Sequence, residues 1–130
     1  VGYGVSQALP ILVDILRARR GQMFLMQQPE VHLHPKAQAQ LGTFLGHMVK
    51  AGKRFVVEKL SDYLVDRICL DIRDKTTGLR PDDVVILYFR RSGPWVEIKP
   101  INVDESGNIV GAPPDYREFF LKEQGRLFGT

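Results

Sequence analysis

Apolar positions recur along this chain with two periods, and they divide it into alternating helices and strands. From Gln7 to Arg20, Leu9, Leu12, Val13 and Leu16 fall on one helical face, which Ile11 and Ile15 widen. The spacing predicts a mostly buried helix with Ser6 as its N-cap. Pro10 lies in the first turn, where its missing N–H costs little. Arg17, Arg19 and Arg20 suit the negative end of the helix dipole, and Gly21 predicts its stop. Gln22 to Met26 is a short apolar run of strand type, closed by Pro29. Pro35 opens a second helix, with Ala37, Leu41, Phe44, Leu45 and Met48 at helical spacing and Gly52 past its end. Arg54 to Glu58 predicts a second strand. Ser61 or Asp62 then caps a third helix that buries Leu64, Val65, Ile68, Cys69 and Ile72.

Strand, helix, strand, helix in this order implies an α/β fold with a mostly parallel sheet and flanking helices. After Thr76 the pattern changes. Asp83 to Phe89 and Trp95 to Ile101 read as two strands joined by the turn Arg91-Ser92-Gly93-Pro94, a β-hairpin. Asp104 to Asn108 is a further turn, and Pro113-Pro114-Asp115 leads into a closing helix with Phe119, Phe120, Leu121 and Leu127. The expected organisation is one domain over 1–130. A lobe at 1–76 is followed at 77–130 by a hairpin and a C-terminal helix packed on it.

Composition narrows this picture only a little. The 130 residues are 44% hydrophobic and 25% charged, an ordinary balance for one globular domain. The net charge of +3 is spread out, and Arg17-Arg19-Arg20 and Arg90-Arg91 read as solvated surface before they read as a nucleic-acid patch. The single cysteine, Cys69, excludes an internal disulfide and fits a reducing, cytoplasmic setting. No apolar run reaches membrane-span length, so no membrane partner is expected. The start at Val1, followed by Gly2 and Gly4, is what a fragment would show.

Chemistry is expected at the end of the first strand, in Met26-Gln27-Gln28-Pro29-Glu30-Val31-His32-Leu33-His34-Pro35. Loops at the carboxyl ends of strands in open α/β sheets are where ligands bind. Glu30, His32 and His34 alternate along this loop. They read either as a metal cluster or as loop bracing with His34 capping the next helix, and no fourth ligand stands nearby. Gly4, Ser6 and Gln7 open the first helix, where free N–H groups favour phosphate; the alternative is an ordinary cap after a glycine turn. Glu58, Lys59, Leu60, Ser61 and Asp62 form the corresponding turn after the second strand.

Three stretches taken in order carry a resemblance. Val1-Gly2-Tyr3-Gly4-Val5-Ser6-Gln7, Gln27-Gln28-Pro29-Glu30-Val31-His32-Leu33-His34-Pro35 and Val57-Glu58-Lys59-Leu60-Ser61-Asp62-Tyr63-Leu64 look like the signature, Walker B and switch-histidine segments of ABC-type ATPase heads. The similar proteins are predicted AAA-type ATPases, with overcoming-lysogenization-defect nucleases and chromosome-maintenance repair ATPases as relatives. The closing hairpin resembles the C-terminal part of a subgroup with a domain of unknown function.

The resemblance implies that Gly4, Ser6 and Gln7 face the γ-phosphate of ATP held by an opposite subunit. It also implies a carboxylate at position 27 for Mg²⁺, often a second at position 28 for the attacking water, though the subgroup commonly reads Glu-Gln-Pro-Glu here, and a histidine at position 60. This chain has Gln27, Gln28 and Leu60 there. An amide carries no charge to attract Mg²⁺ and is a poor general base, and Leu60 cannot hydrogen-bond a phosphate. No Gly-x-x-x-x-Gly-Lys-Ser/Thr loop occurs anywhere in the chain. The expectation is therefore a truncated or degenerate C-terminal lobe without ATPase activity or cofactor of its own. ATP and Mg²⁺ enter only if another chain supplies the phosphate loop. The expected partners are a missing N-terminal ATPase half or a second copy. An oligomerising interaction module and a nucleic-acid-associated defence or repair component are the alternatives.

Overall fold

A computed structural model describes residues 3–59 and 62–117. Helix α1 spans Tyr3–Arg17, strand β1 Met23–Gln27, helix α2 Pro35–Lys50, strand β2 Arg54–Glu58 and helix α3 Tyr63–Asp74. A short 3₁₀ turn at Pro81–Asp83 precedes β3, Ile86–Ser92; β4 is Trp95–Val103 and β5 is Ile109–Val110. The protein is thus mixed α/β. Its strands form two sheets, a parallel pair β1–β2 and an antiparallel β3–β4–β5. The expected parallel sheet is the pair β1–β2, in register from Met23↔Arg54 to Gln27↔Glu58, and the expected hairpin is β3–β4, in a separate sheet. The expected closing helix lies outside the described residues.

Helix α3 joins the two halves. Leu64 packs with Ile15, Leu41 and Leu45, beside Phe24, Met26, Phe55 and Val57 from the inner face of the parallel pair. Val65, Cys69 and Ile72 pack instead with Leu79 and Val103 under the antiparallel sheet, and Ile68 contributes to both clusters. Burying a Leu, Ile or Val side chain stabilises by about 1.5–3 kcal/mol, so one helix face secures both sheets. Helices α2 and α3 approach closely where α2 carries the buried Gly42; one turn on, the buried Gly46 admits Thr77 and Leu79, which follow α3. A Cβ at Gly42 would stand 2.8 Å from the Leu64 carbonyl oxygen. Across this contact the Thr43 hydroxyl donates to the buried Asp71 carboxylate at 2.6 Å.

Several expectations need correction. Helix α1 is not mostly buried: Leu9, Val13 and Leu16 are exposed, while Ile15 is fully covered. The parallel pair covers the side of the helix that carries Ile11, Leu12 and Ile15 and leaves the side with Leu9, Val13 and Leu16 open. The helix is already running at Tyr3, so Ser6 lies inside it and is not its N-cap. It also ends at Arg17, earlier than Gly21 suggested. The buried Lys53 ammonium donates to the Leu16 carbonyl at 3.4 Å, giving the last turn a partner from β2's side of the molecule. Asp83, expected to open a strand, instead ends the 3₁₀ turn Pro81–Asp83, and the Arg80 N–H donates to its carboxylate at 2.9 Å. Strand β3 therefore starts later and runs to Ser92, while β4 extends to Val103.

Candidate functional site

The carboxyl ends of β1 and β2 lie side by side, and the residues singled out in the sequence gather around them. Gln27 pairs with Glu58 at the last rung, and both are exposed. The next residue, Gln28, leaves the strand with φ +46°, a left-handed backbone that a residue with a Cβ adopts at a cost. Two bonds hold it there. Its N–H donates to the Glu58 carbonyl at 2.7 Å, and its side-chain amide donates to the Glu58 carboxylate at 3.3 Å. The turn continues with Val31 N–H donating to the Gln28 carbonyl at 3.2 Å and Leu33 N–H to the Glu30 carbonyl at 2.9 Å.

Glu30 is buried, with 1% of its surface exposed. Beside it the buried Gln38 of α2 binds the loop from within, its amide donating to the carbonyls of Glu30 and Leu33 at 3.1 and 2.9 Å. His34 occupies the N-cap of α2 with extended backbone, and its Nδ1 accepts from the Lys36 N–H at 3.4 Å. His32 is exposed. Its carbonyl lies so close to Gly4 that a Cβ there would come within 2.5 Å of the oxygen. The first turn of α1 thus rests on the β1–α2 loop, which brings two of the three sequence stretches into contact. Ser6 and Gln7, one turn on, are exposed. Among the described residues no three His, Cys, Asp or Glu side chains gather as a metal-ligand set.

After β2 the polar groups turn inward. The Lys59 ammonium pairs with Asp62 at 2.5 Å. Asp62 stands at the start of α3, but its side chain makes no cap hydrogen bond. The expected cap fails because the carboxylate, 5% exposed as a residue, is occupied by Lys59 and by Arg117, whose Nε lies 3.7 Å away. Arg117 also pairs with Asp66 at 2.6 Å. Burial would lower the Arg117 pKa, but the Asp66 hydrogen bond and the charges of Asp66 and Asp62 outweigh it and raise it. Leu60 and Ser61 lie outside the described residues.

A cavity of about 390 Å³ beside this network is lined by Asp66, Cys69, Gly107, Tyr116 and Arg117, among others. Burial, followed by the Asp66 charge, pushes the Cys69 thiol up, and burial likewise pushes up the Tyr116 hydroxyl. Thiolate chemistry is therefore disfavoured at Cys69.

The sequence reading passed over Gln38, whose amide braces the loop, and Arg117, which closes the ion-pair network. A glutamine one turn into a helix whose N-terminal loop carries unpaired carbonyls is a usable signal for the first. Nothing local marks the second, because its partners lie some fifty residues earlier in the chain.

Comparison with known proteins finds no matching family model, no significantly similar curated protein and no significantly similar solved structure.

Proposed function

We propose that this chain is the C-terminal lobe of an ABC-type ATPase-like head that is silent by itself and completes a nucleotide site in trans. The observation that carries this reading is the layout at the ends of β1 and β2. A parallel strand pair delivers Gln27, the left-handed Gln28 and Glu58 to one place, and the first turn of α1 leans on the loop between them. Strained backbone next to a strand end is typical of ligand sites. The charges there do not suffice for catalysis. Gln27 and Gln28 are neutral, and the Lys59 ammonium is already paired with Asp62. Glu58 is the carboxylate available at the strand ends, and Mg²⁺ sites of this kind combine one or two carboxylates with substrate phosphates. The phosphates must then be held by a loop that this sequence lacks.

The open outer face of the parallel pair supports the same reading. Met23, Leu25 and Val56 are exposed there, Leu25 to 77%. Parallel sheets are ordinarily covered on both faces, so this pair has the character of a sheet whose outer face another segment covers. Restoring charge at position 27 tests the reading. With a phosphate-loop half supplied, Gln27→Glu is expected to raise nucleotide affinity about tenfold or more in the presence of Mg²⁺ and to change little in EDTA. An equal response with and without the metal would show that position 27 faces no metal-nucleotide complex.

A further inference from the structure

The turns that lead into the two parallel strands meet at the end of that sheet opposite Gln27 and Glu58. The register that pairs Met23 with Arg54 sets residues 18–22 beside 51–53. The Gly21 N–H donates to the Gly52 carbonyl at 2.7 Å, and the Arg54 N–H to the Gln22 carbonyl at 2.9 Å. Each turn also receives an arginine from the other. The Arg54 guanidinium donates to the Gly21 carbonyl at 3.3 Å, and Arg20 lies across Gly52, where a Cβ would meet its Cγ at 2.5 Å. Arg17 and Arg19 are exposed on the same stretch, and the buried Lys53 ammonium reaches the Leu16 carbonyl. Among the described residues, none of these five cations pairs with a carboxylate. Arg90, by contrast, is held by Glu97 and Asp115, and Lys50 at the end of α2 by Asp83.

Local structure accounts for little of this charge. The carboxyl ends of α1 and α2 lie at the same pole and carry about half a negative charge each, which offsets roughly one of the cations. Glu30 is the single acid in the sequence between Asp14 and Glu58, and it is buried beyond the other end of β1. We propose that this basic patch docks the phosphate backbone of nucleic acid. A guanidinium matches phosphate oxygens with a fork of N–H donors. The make-up of the turns selects this partner over other anionic surfaces. Residues 18–22 are Ala, Arg, Arg, Gly and Gln, and residues 51–53 are Ala, Gly and Lys, with no large apolar side chain among them. A protein partner is anchored by aromatic or aliphatic side chains in pockets, and a bilayer surface takes up an apolar face. A nucleic-acid backbone needs neither, because charge and the release of its counterions supply the binding.

This inference stands apart from the nucleotide reading, and its test needs no ATP. Fluorescence anisotropy of labelled duplex DNA is expected to show micromolar binding at about 50 mM salt, weakening as salt rises with a log–log slope of about −3 to −4. Arg20→Ala combined with Arg54→Ala should reduce that slope by about two and weaken binding about tenfold or more. Arg17→Glu combined with Arg19→Glu should weaken binding at least as much. Both side chains are exposed, so circular dichroism should be unchanged in that second variant. Arg91→Ala, on the hairpin, and Leu16→Ser, beside the patch, should leave binding as it is, and phosphatidylserine vesicles should not compete for it. No salt-sensitive binding at low salt overturns the proposal. So does binding that survives both arginine pairs, is lost in Arg91→Ala or Leu16→Ser, or is displaced by the vesicles.

Discussion

At Gln28 the backbone adopts φ +46° and is held there by two bonds to Glu58. The left-handed region costs a residue with a Cβ roughly 1–2 kcal/mol, and a β-branched side chain more. Gln28→Gly should relieve that cost while losing one exposed side-chain bond, so urea unfolding should place it from neutral to about 1 kcal/mol more stable. Gln28→Val should be about 1–2 kcal/mol less stable. Destabilisation by Gly and none by Val would mean that the left-handed turn is absent in solution. The nature of this residue was legible in the sequence but its conformation was not. Glutamine carries no signal for positive φ, and the bonds that impose it come from a strand thirty residues away.

Among the elements, α2 and α3 follow their apolar spacing closely, and the buried face of α3 is the one its sequence indicates. Helix α1 is where spacing misled. Its stripe is as regular as that of α3, yet Leu9, Val13 and Leu16 face outward. Periodicity marks which face seeks a partner, and it is silent on whether the partner belongs to the same chain. The antiparallel sheet makes its own prediction. Asp104 accepts from the N–H groups of Asn108 and Ser106 at 2.8 and 2.9 Å in the β4–β5 turn. The Asn108 N–H leads the groups that hold its carboxyl below the usual range. Asp115 is held low as well: burial would raise it, but the Tyr88 hydroxyl and the Arg90 guanidinium prevail. A carboxyl depressed in the folded state contributes stability above its unfolded pKa and loses it as the pH falls through the folded value. Unfolding free energy should therefore drop below about pH 4, with a shallower acid limb in Asp104→Asn. Equal acid limbs in the two proteins would remove Asp104 from this account.

For the whole molecule, the relevant fact is that one helix serves two sheets and neither sheet is closed. The order of elements up to α3 and the hairpin was legible from period and turn chemistry. The separation into two sheets was not, since pairing between non-adjacent strands leaves no local trace. The site was legible as a set of residues, Gln27, Gln28, Glu30, His32, His34 and Glu58, but not as a division of labour. Gln38 and the buried Glu30 belong to the loop's interior, His34 caps α2, and only Gln27 and Glu58 look outward from the strand ends. No helix among the described residues is long and apolar enough to cross a membrane. What faces solvent is the pair of strand ends with Gln27 and Glu58 and, elsewhere on the surface, apolar side chains that include Leu25, Val56, Leu87 and Phe89.

The proposal that the ends of β1 and β2 form half of a nucleotide site is tested by calorimetric titration of Mg-ATP into the chain alone. No saturable heat is expected at millimolar nucleotide, because the sequence has no Gly-x-x-x-x-Gly-Lys-Ser/Thr loop and the Lys59 ammonium beside the end of β2 is paired with Asp62. Saturable binding in the micromolar range, lost in Gln27→Ala or Glu58→Ala, would contradict it.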